Sequence, residues 1–339
     1  MTVRILQGDC RDVLPTLPAD SVHCVVTSPP YYALRDYGVA GQLGLEATPD
    51  AYIGEMVAVF REVRRVMRPD ATLWLNVGDS YSGGGGYAPD APSNIAGSKQ
   101  STNVGSVRRD AVRGMPSKNL LMMPARLALA LQADGWWVRS DIIWAKPNPM
   151  PESVTDRPTS AHEHIYLLTK SSRYYYDADA VREDLTGHRD NTIELHRPGN
   201  LKLDERLRAQ ANHDWRMNAS GRNLRNVWTL ATEAFPGSHY ATFPTELVSR
   251  CIRAGSKVGD TVLDPFSGAG TTALVADRLG RNAIGIELNA EYVAMSEARI
   301  SGDCPLFVDY GDAVASDSAA IPEPPEDERM ADLFAYAAD

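Results

Sequence analysis

The sequence predicts an α/β protein built on a doubly wound, mostly parallel sheet. Short β-prone apolar runs alternate with segments of helical periodicity, which is the pattern of such sheets. The run Val22-His23-Cys24-Val25-Val26 is almost continuously apolar, as in a strand buried on both faces. Two abrupt Gly/Pro-rich turns, at 27–32 and 264–272, each follow such a run. A chain of 339 residues suits one large domain or two modest ones. With 43% hydrophobic and 23% charged residues its composition is ordinary for a globular protein.

The elements follow in order. Val3 to Leu6 is a strand ended by Gly8-Asp9, and Cys10 to Leu17 is a short helix closed by Pro18. After the strand at 22–26, Pro49 to Met67 is a helix, with Tyr52, Met56, Val59, Phe60, Val63 and Val66 spaced to share one face. Arg68-Pro69-Asp70 ends it and Thr72 to Val77 is the next strand. Residues 80–118 break the pattern with four consecutive glycines and a Ser/Asn/Gly/Pro-rich stretch, and a loop of that length is either functional or disordered. A helix over Leu120–Asp134 and strands over Trp136–Trp144 and Glu163–Thr169 follow, with Tyr174-Tyr175-Tyr176 a candidate for another. Residues 178–235 are polar and weakly periodic. Beyond Phe243-Pro244 the reading is helix to Ala254, strand 261–263, helix 271–279, strand 282–286 and helix 290–300. No internal repeat is visible.

A net charge of −10 argues at first against a nucleic-acid partner. Its distribution changes that. Residues 301–339 hold ten acids and one base, Arg329, so this Pro-containing acidic tail carries nearly all of the excess and reads as a mobile terminus. The rest is close to neutral. Lys99–Lys118 and Arg197–Arg225 are each net basic by four charges. Four scattered cysteines with no CxxC pair argue against a disulfide framework or structural zinc site and suit a reducing cytoplasm. No leader is expected at Met1. No run approaches the roughly 18 apolar residues of a membrane span.

Two segments carry chemistry. Asp264-Pro265-Phe266-Ser267-Gly268-Ala269-Gly270-Thr271-Thr272 links a strand to a helix. Its glycines permit close backbone approach to a ligand, and the helix start offers free N–H groups. One strand later, Ile284-Gly285-Ile286-Glu287 puts an acid at a strand end, where it can hold both ribose hydroxyls of a nucleoside. No Gly-Lys-Ser/Thr follows, so this is not a phosphate-binding P-loop. In Ser28-Pro29-Pro30-Tyr31 two prolines stiffen the backbone and leave carbonyls without competing N–H donors. A planar amino group could donate to the Ser28 hydroxyl and the Pro29 carbonyl, with Tyr31 stacking on its ring. His162 and His164 form an HxH pair with no third ligand at hand, read as structural. Trp136-Trp137 is read as core.

Together these segments resemble the two signature motifs of S-adenosylmethionine-dependent DNA amino-methyltransferases. Their order resembles the beta class, a circular permutation of the Rossmann-like class I methyltransferase sheet. The resemblance covers most of residues 1–300 and extends to Leu6-Gln7-Gly8-Asp9, Asp141 to Asn148 and His239 to Pro244. It implies S-adenosyl-L-methionine as cofactor and double-stranded DNA as substrate. Ser28, Pro29, Pro30 and Tyr31 would be the catalytic residues. Asp9 would lie by the adenine, Phe243 near the methionine moiety and Glu287 on the ribose. Asp264 and Gly268 would flank the methionine end, within a cradle completed by Pro265, Phe266, Ser267, Gly270, Thr271 and Thr272. No metal is expected.

The resemblance divides the chain into a catalytic domain (1–177 and 236–300, with 80–118 as a mobile loop), an inserted target-recognition region at 178–235, and the acidic tail at 301–339. In this family Asp or Asn before the two prolines is usual for adenine N6 and Ser for cytosine N4, so Ser28 implies the cytosine-N4 amine. Adenine N6 is the nearest alternative, ahead of an RNA or protein amide and of a DNA-binding relative without turnover. The target base would be flipped from the duplex. Methylation of cytosine C5 needs a nucleophilic cysteine, usually after proline, and no cysteine here follows a proline. A homodimer and a cognate restriction endonuclease are the candidate partners, and a cytoplasmic, membrane-free location is expected.

Overall fold

In the computed structural model, which describes residues 1–83, 112, 115–183, 221–233 and 243–303, eight strands form one sheet. Most of the two basic segments, the stretch His239–Thr242 and the tail beyond Asp303 lie outside the described residues. The strands are β1 (Val3–Gln7), β2 (Val22–Thr27), β3 (Met67–Val77), β4 (Trp137–Ala145), β5 (His162–Thr169), β6 (Val227–Thr229), β7 (Thr261–Asp264) and β8 (Asn282–Glu287). The helices are α1 (Cys10–Val13), α2 (Pro49–Val66), α3 (Met123–Ala133), α4 (Thr245–Gly255), α5 (Thr271–Arg278) and α6 (Ala290–Asp303).

The spatial order is β1-β8-β7-β2-β3-β5-β4-β6. β5 runs antiparallel to both neighbours, and the other pairs are parallel. The first strand pairs with the last, Val3 opposite Ala283 and Gln7 opposite Glu287. One half of the sheet is thus assembled from both ends of the chain, the arrangement expected of a circular permutant.

Strand alternation sorts the side chains onto two faces. Val25, Leu73, Leu75, Leu263, Ile284 and Ile286 face one core; Cys24, Val26, Trp74, Val262 and Ala283 face the other. The first core is closed by α2, which buries all six of its predicted apolar positions, and by α3. Thr48 caps α2 by accepting from the Ala51 N–H at 3.1 Å, and Pro49 occupies the first turn, where its missing N–H costs nothing. The second core is closed by α4, α5 and Ile300 of α6. At roughly 1.5–3 kcal/mol per fully buried large apolar side chain, these two layers are the main source of stability.

The chain leaves β2 through α2 towards β3 and leaves β7 through α5 towards β8, in opposite directions along the sheet. Neighbouring strands β2 and β7 therefore bracket a topological switch point, where open α/β sheets bind ligands beyond the strand ends. Both chemical segments emerge there.

Several expectations need correction. β3 starts at Met67, directly on the end of α2. Tyr174–Tyr176 is no strand; it is tied to the sheet by single bonds such as Tyr175 N–H to the Asp70 carbonyl at 2.8 Å. Trp136, in the turn before β4, is core, but Trp137, the first residue of β4, is 48% exposed. The described ends of region 178–235 lie side by side, one of them at the sheet edge. β6 pairs with β4, Val181 and Trp228 are buried in the second core, and Glu183 bridges to Arg222. The described ends of the 80–118 loop are also joined, by a bridge between Tyr81 and Leu120. Among the described residues no helix is long and apolar enough to cross a membrane.

Candidate active site

Asp264 ends β7 and is buried. Its carboxylate accepts from the Thr27 hydroxyl (2.6 Å), the Thr272 hydroxyl (2.7 Å) and the Phe266 N–H (3.0 Å). One side chain thereby ties the end of β2, the first turn of α5 and the Gly-rich turn together. Burial pushes its pKa up to about 6, with the Glu287 charge adding to the rise, while the three hydrogen bonds pull it back.

Within the turn, Gly268 and Gly270 have φ of 51° and 72°, which only glycine adopts without strain. Gly270 also lies against α6: a Cβ there would meet Ser296 Cβ at 2.6 Å. The Glu287 carboxylate accepts from Gly268 N–H and Asn289 N–H, both at 2.8 Å, and burial raises its pKa. Fixed by two backbone donors, it keeps lone pairs for a ligand. Ser267 Oγ is buried and has no partner among the described residues. An orphaned hydroxyl beside a helix start, a glycine turn and a strand-end carboxylate fit a nucleoside-bearing ligand. Pro265 is buried, Phe266 packs against the first core, and Thr271 and Thr272 open α5.

Asp9 follows β1, one strand beyond Glu287, and Gly8 N–H bonds the Glu287 carbonyl at 2.9 Å. Its carboxylate caps α1 through Arg11 N–H (2.9 Å) and pairs with the Arg11 guanidinium (2.5 Å). Partial burial opposes ionisation, but the Arg11 bonds outweigh it and hold the pKa below the usual value. Phe243 is half-buried against the second core, before α4.

Beyond β2, Ser28 and Pro30 are half-buried and Pro29 buried. The Pro30 carbonyl accepts from Tyr52 of α2 at 3.0 Å, which anchors the stiff turn. Tyr31 folds back so that its hydroxyl meets Ser28 Oγ (3.3 Å), Asn76 Nδ2 (2.7 Å) and Glu163 Oε2 (2.6 Å). Asn76 Nδ2 also reaches Glu163 Oε2 (2.8 Å) and Ser28 Oγ (3.4 Å). The other Glu163 oxygen pairs with Lys146 Nζ, which sits 4.3 Å from the Trp144 ring centroid. Burial and the Glu163 charge push the Tyr31 phenol well above its usual pKa.

Asn76, Lys146 and Glu163 were not singled out from the sequence. The available signal was strand position: each lies near an end of β3, β4 or β5, and Glu163 alternates with His162 and His164. The histidines go to the other side. Their rings touch edge-on, and His164 Nδ1 lies 2.9 Å from Asp141 Oδ1. Among the described residues no three His, Cys, Asp or Glu side chains gather to hold a metal.

Solved structures share this architecture. A DNA modification methylase from Thermus thermophilus is 28% identical with a TM-score of 0.53, covering 91% of this chain and 98% of its own. The PvuII DNA methyltransferase (cytosine-N4-specific) has the same fold, with a TM-score of 0.58 at 19% identity over 88% of this chain and 86% of its own. The fold is thus that of class I methyltransferases.

The family described as DNA methylase (N6_N4_Mtase) matches residues 22–298, and the chain belongs to it. It is similar to the Type II methyltransferases M.Cfr9I of Citrobacter freundii, 44% identical over 88% of both chains, and M.XycI of Xanthomonas campestris pv. cyanopsidis, 45% identical over 88% of this chain and 87% of its own. The protein is a DNA methyltransferase of the N4/N6 type.

Proposed function

We propose that this methyltransferase modifies the N4 amine of cytosine in double-stranded DNA, using S-adenosyl-L-methionine. The observation that carries the reading is Ser28, a hydroxyl where a carboxylate or amide would mark adenine enzymes. It stands in a site that already holds one carboxylate, Glu163, bonded to Tyr31. A second carboxylate in its place would add like charge close to the first. A hydroxyl adds none, and can both donate and accept.

The cofactor supplies a methyl group on a positively charged sulfur, open to a nucleophilic nitrogen. The solved Thermus thermophilus methylase has been obtained complexed with S-adenosyl-L-methionine, at 27% identity and a TM-score of 0.53, which supports the assignment. Here Asp264 and the 265–272 turn would hold the methionine end, Phe243 would pack beside it, Glu287 would take the ribose and Asp9 would border the adenine.

Ser28 Oγ and the Pro29 carbonyl accept the amine hydrogens, which draws the nitrogen lone pair out of conjugation with the ring. The stiff Pro29-Pro30 backbone holds both acceptors still, so rate comes from positioning and electrostatics. Tyr31, fixed at its hydroxyl, presents its ring to the flipped base. The basic arginines of 178–235 would bind phosphates, with a cognate endonuclease and a second copy of the chain as candidate partners.

Mass spectrometry of nucleosides from plasmid DNA of an expressing host should find N4-methylcytosine, and N6-methyladenine alone would overturn the base assignment. In the same assay Ser28→Ala is expected to lower methylation at least a hundredfold. Full methylation by Ser28→Ala and Tyr31→Ala alike would remove these residues from the site.

A further inference from the structure

We propose that Glu163 is the final acceptor of the proton that leaves the methylated amine, reached through the hydroxyls of Ser28 and Tyr31. This rests on the reading that Ser28 receives the amine. The carboxylate sets the direction of the chain. Glu163 Oε2 can only accept, so the one hydroxyl proton of Tyr31 is committed to it at 2.6 Å. Tyr31 Oη must then accept from Ser28, whose one proton is committed to Tyr31 at 3.3 Å. The remaining contacts of both oxygens come from Asn76 Nδ2, which is purely a donor. A Ser28 lone pair is left for an incoming N–H.

The groups meeting Glu163 come from every neighbouring element: Tyr31 after β2, uncharged Asn76 on β3 and Lys146 at the end of β4. His162 and His164, on its own strand, alternate to the opposite side. Lys146 neutralises the carboxylate from the oxygen that Tyr31 does not use. The phenol holds its proton far into the alkaline range, so it passes a proton on without serving as a base itself.

On gaining the methyl group the amine nitrogen becomes positively charged. One N–H bond breaks, and its electron pair stays on nitrogen. The proton goes to Ser28 Oγ as the Ser28 proton goes to Tyr31 and the Tyr31 proton to Glu163. The products are a neutral methylated amine, unchanged Ser28 and Tyr31, and a neutral Glu163 carboxyl. The carboxyl returns its proton to water once the DNA leaves.

Glu163→Gln keeps the size of the side chain and an acceptor for Tyr31, but cannot take the proton. General-base assistance contributes about 10²–10⁴-fold. The single-turnover rate at neutral pH should therefore fall about a hundredfold, with affinities for DNA and cofactor changed less than about threefold. The acid limb of the wild-type pH–rate profile should disappear in this variant. Glu163→Asp should restore part of the rate and the limb, as a merely structural role would not require. A second readout needs no turnover. In the free protein labelled with ¹³C-tyrosine, the Tyr31 signal, identified by its loss in Tyr31→Phe, should ionise at lower pH in Glu163→Gln than in wild type.

A Glu163→Gln enzyme with wild-type rate and acid limb, alongside impaired Ser28→Ala and Tyr31→Phe, overturns the relay and leaves the Ser28 reading standing. Wild-type rates in all three overturn that reading too. An unshifted Tyr31 ionisation overturns the contact on which the relay depends.

Discussion

Replacing Gly78 with alanine is expected to lower the methyl-transfer rate about a hundredfold while the fold survives. Gly78 follows β3, two residues after Asn76, and its backbone does not need glycine. What it provides is space. A Cβ at this position would overlap Tyr31 Cε2 and lie 2.8 Å from Cδ2, far inside contact distance. The ring would have to move by about an ångström, and a misplacement of that size at a reacting centre costs about 10²-fold. The Tyr31 hydroxyl would leave Glu163 and Asn76, so both the proposed base platform and the proposed proton path would shift. Single-turnover kinetics measure the loss, and calorimetry should find cofactor affinity within about threefold of wild type. In a Tyr31→Ala background, where the overlapping ring is absent, Gly78→Ala should cost little more. An equal loss in both backgrounds would mean that Gly78 acts through something other than Tyr31.

Asp264→Asn should remove a pH-dependent part of the stability that amounts to about 3 kcal/mol. The buried carboxyl holds its proton up to about pH 6, above its ordinary 3.8. Between those values the folded protein binds more protons than the unfolded chain, so stability falls as pH rises from about 4 to about 6. Above that window the cost of the buried charge is fully present; below it the cost vanishes. Asparagine has no such titration, although it gives up an acceptor for one of the two threonines. In urea denaturation the variant should therefore gain on wild type across this window, and the difference should be level on either side. A difference independent of pH would overturn the assignment. Asp264→Ala should be worse than either at every pH. It orphans the Thr27 hydroxyl and the Phe266 N–H, at about 1–3 kcal/mol for each group left unsatisfied, and leaves the Thr272 hydroxyl only its 3.2 Å bond to the Val26 carbonyl.

The parts of the site that could be read from the sequence are local. Asp264 through Thr272 and Glu287 belong to one strand–turn–helix–strand unit, and glycine spacing alone announces its turn. Ser28-Pro29-Pro30-Tyr31 is contiguous, and its prolines mark it wherever it lies. The six apolar positions of α2 were equally legible, because a helix face repeats within one segment. Asn76, Lys146 and Glu163 carry no such mark. They are single polar residues on or just beyond three strands, and they meet only because β5 runs antiparallel beside β3, with β4 on its far side. Trp136 and Trp137 illustrate the same limit, since the passage from turn into β4 separated two identical neighbours into core and surface.

The alternating architecture, the two chemical segments, and the acidic excess in the tail, away from a nearly neutral body, are all written in the order of residues. These are periodicities and contiguous patterns, set by covalent neighbours. Folding in three dimensions is what closes β1 on β8, sets β2 and β7 side by side so that the two segments share one crevice, and turns the Tyr31 hydroxyl onto Glu163. The β1–β8 pairs among them join residues 280 positions apart, such as Val3 and Ala283. They depend on which strands pair and in which direction, and hydrophobic patterning constrains which face of a strand is buried but not which strand lies beside it.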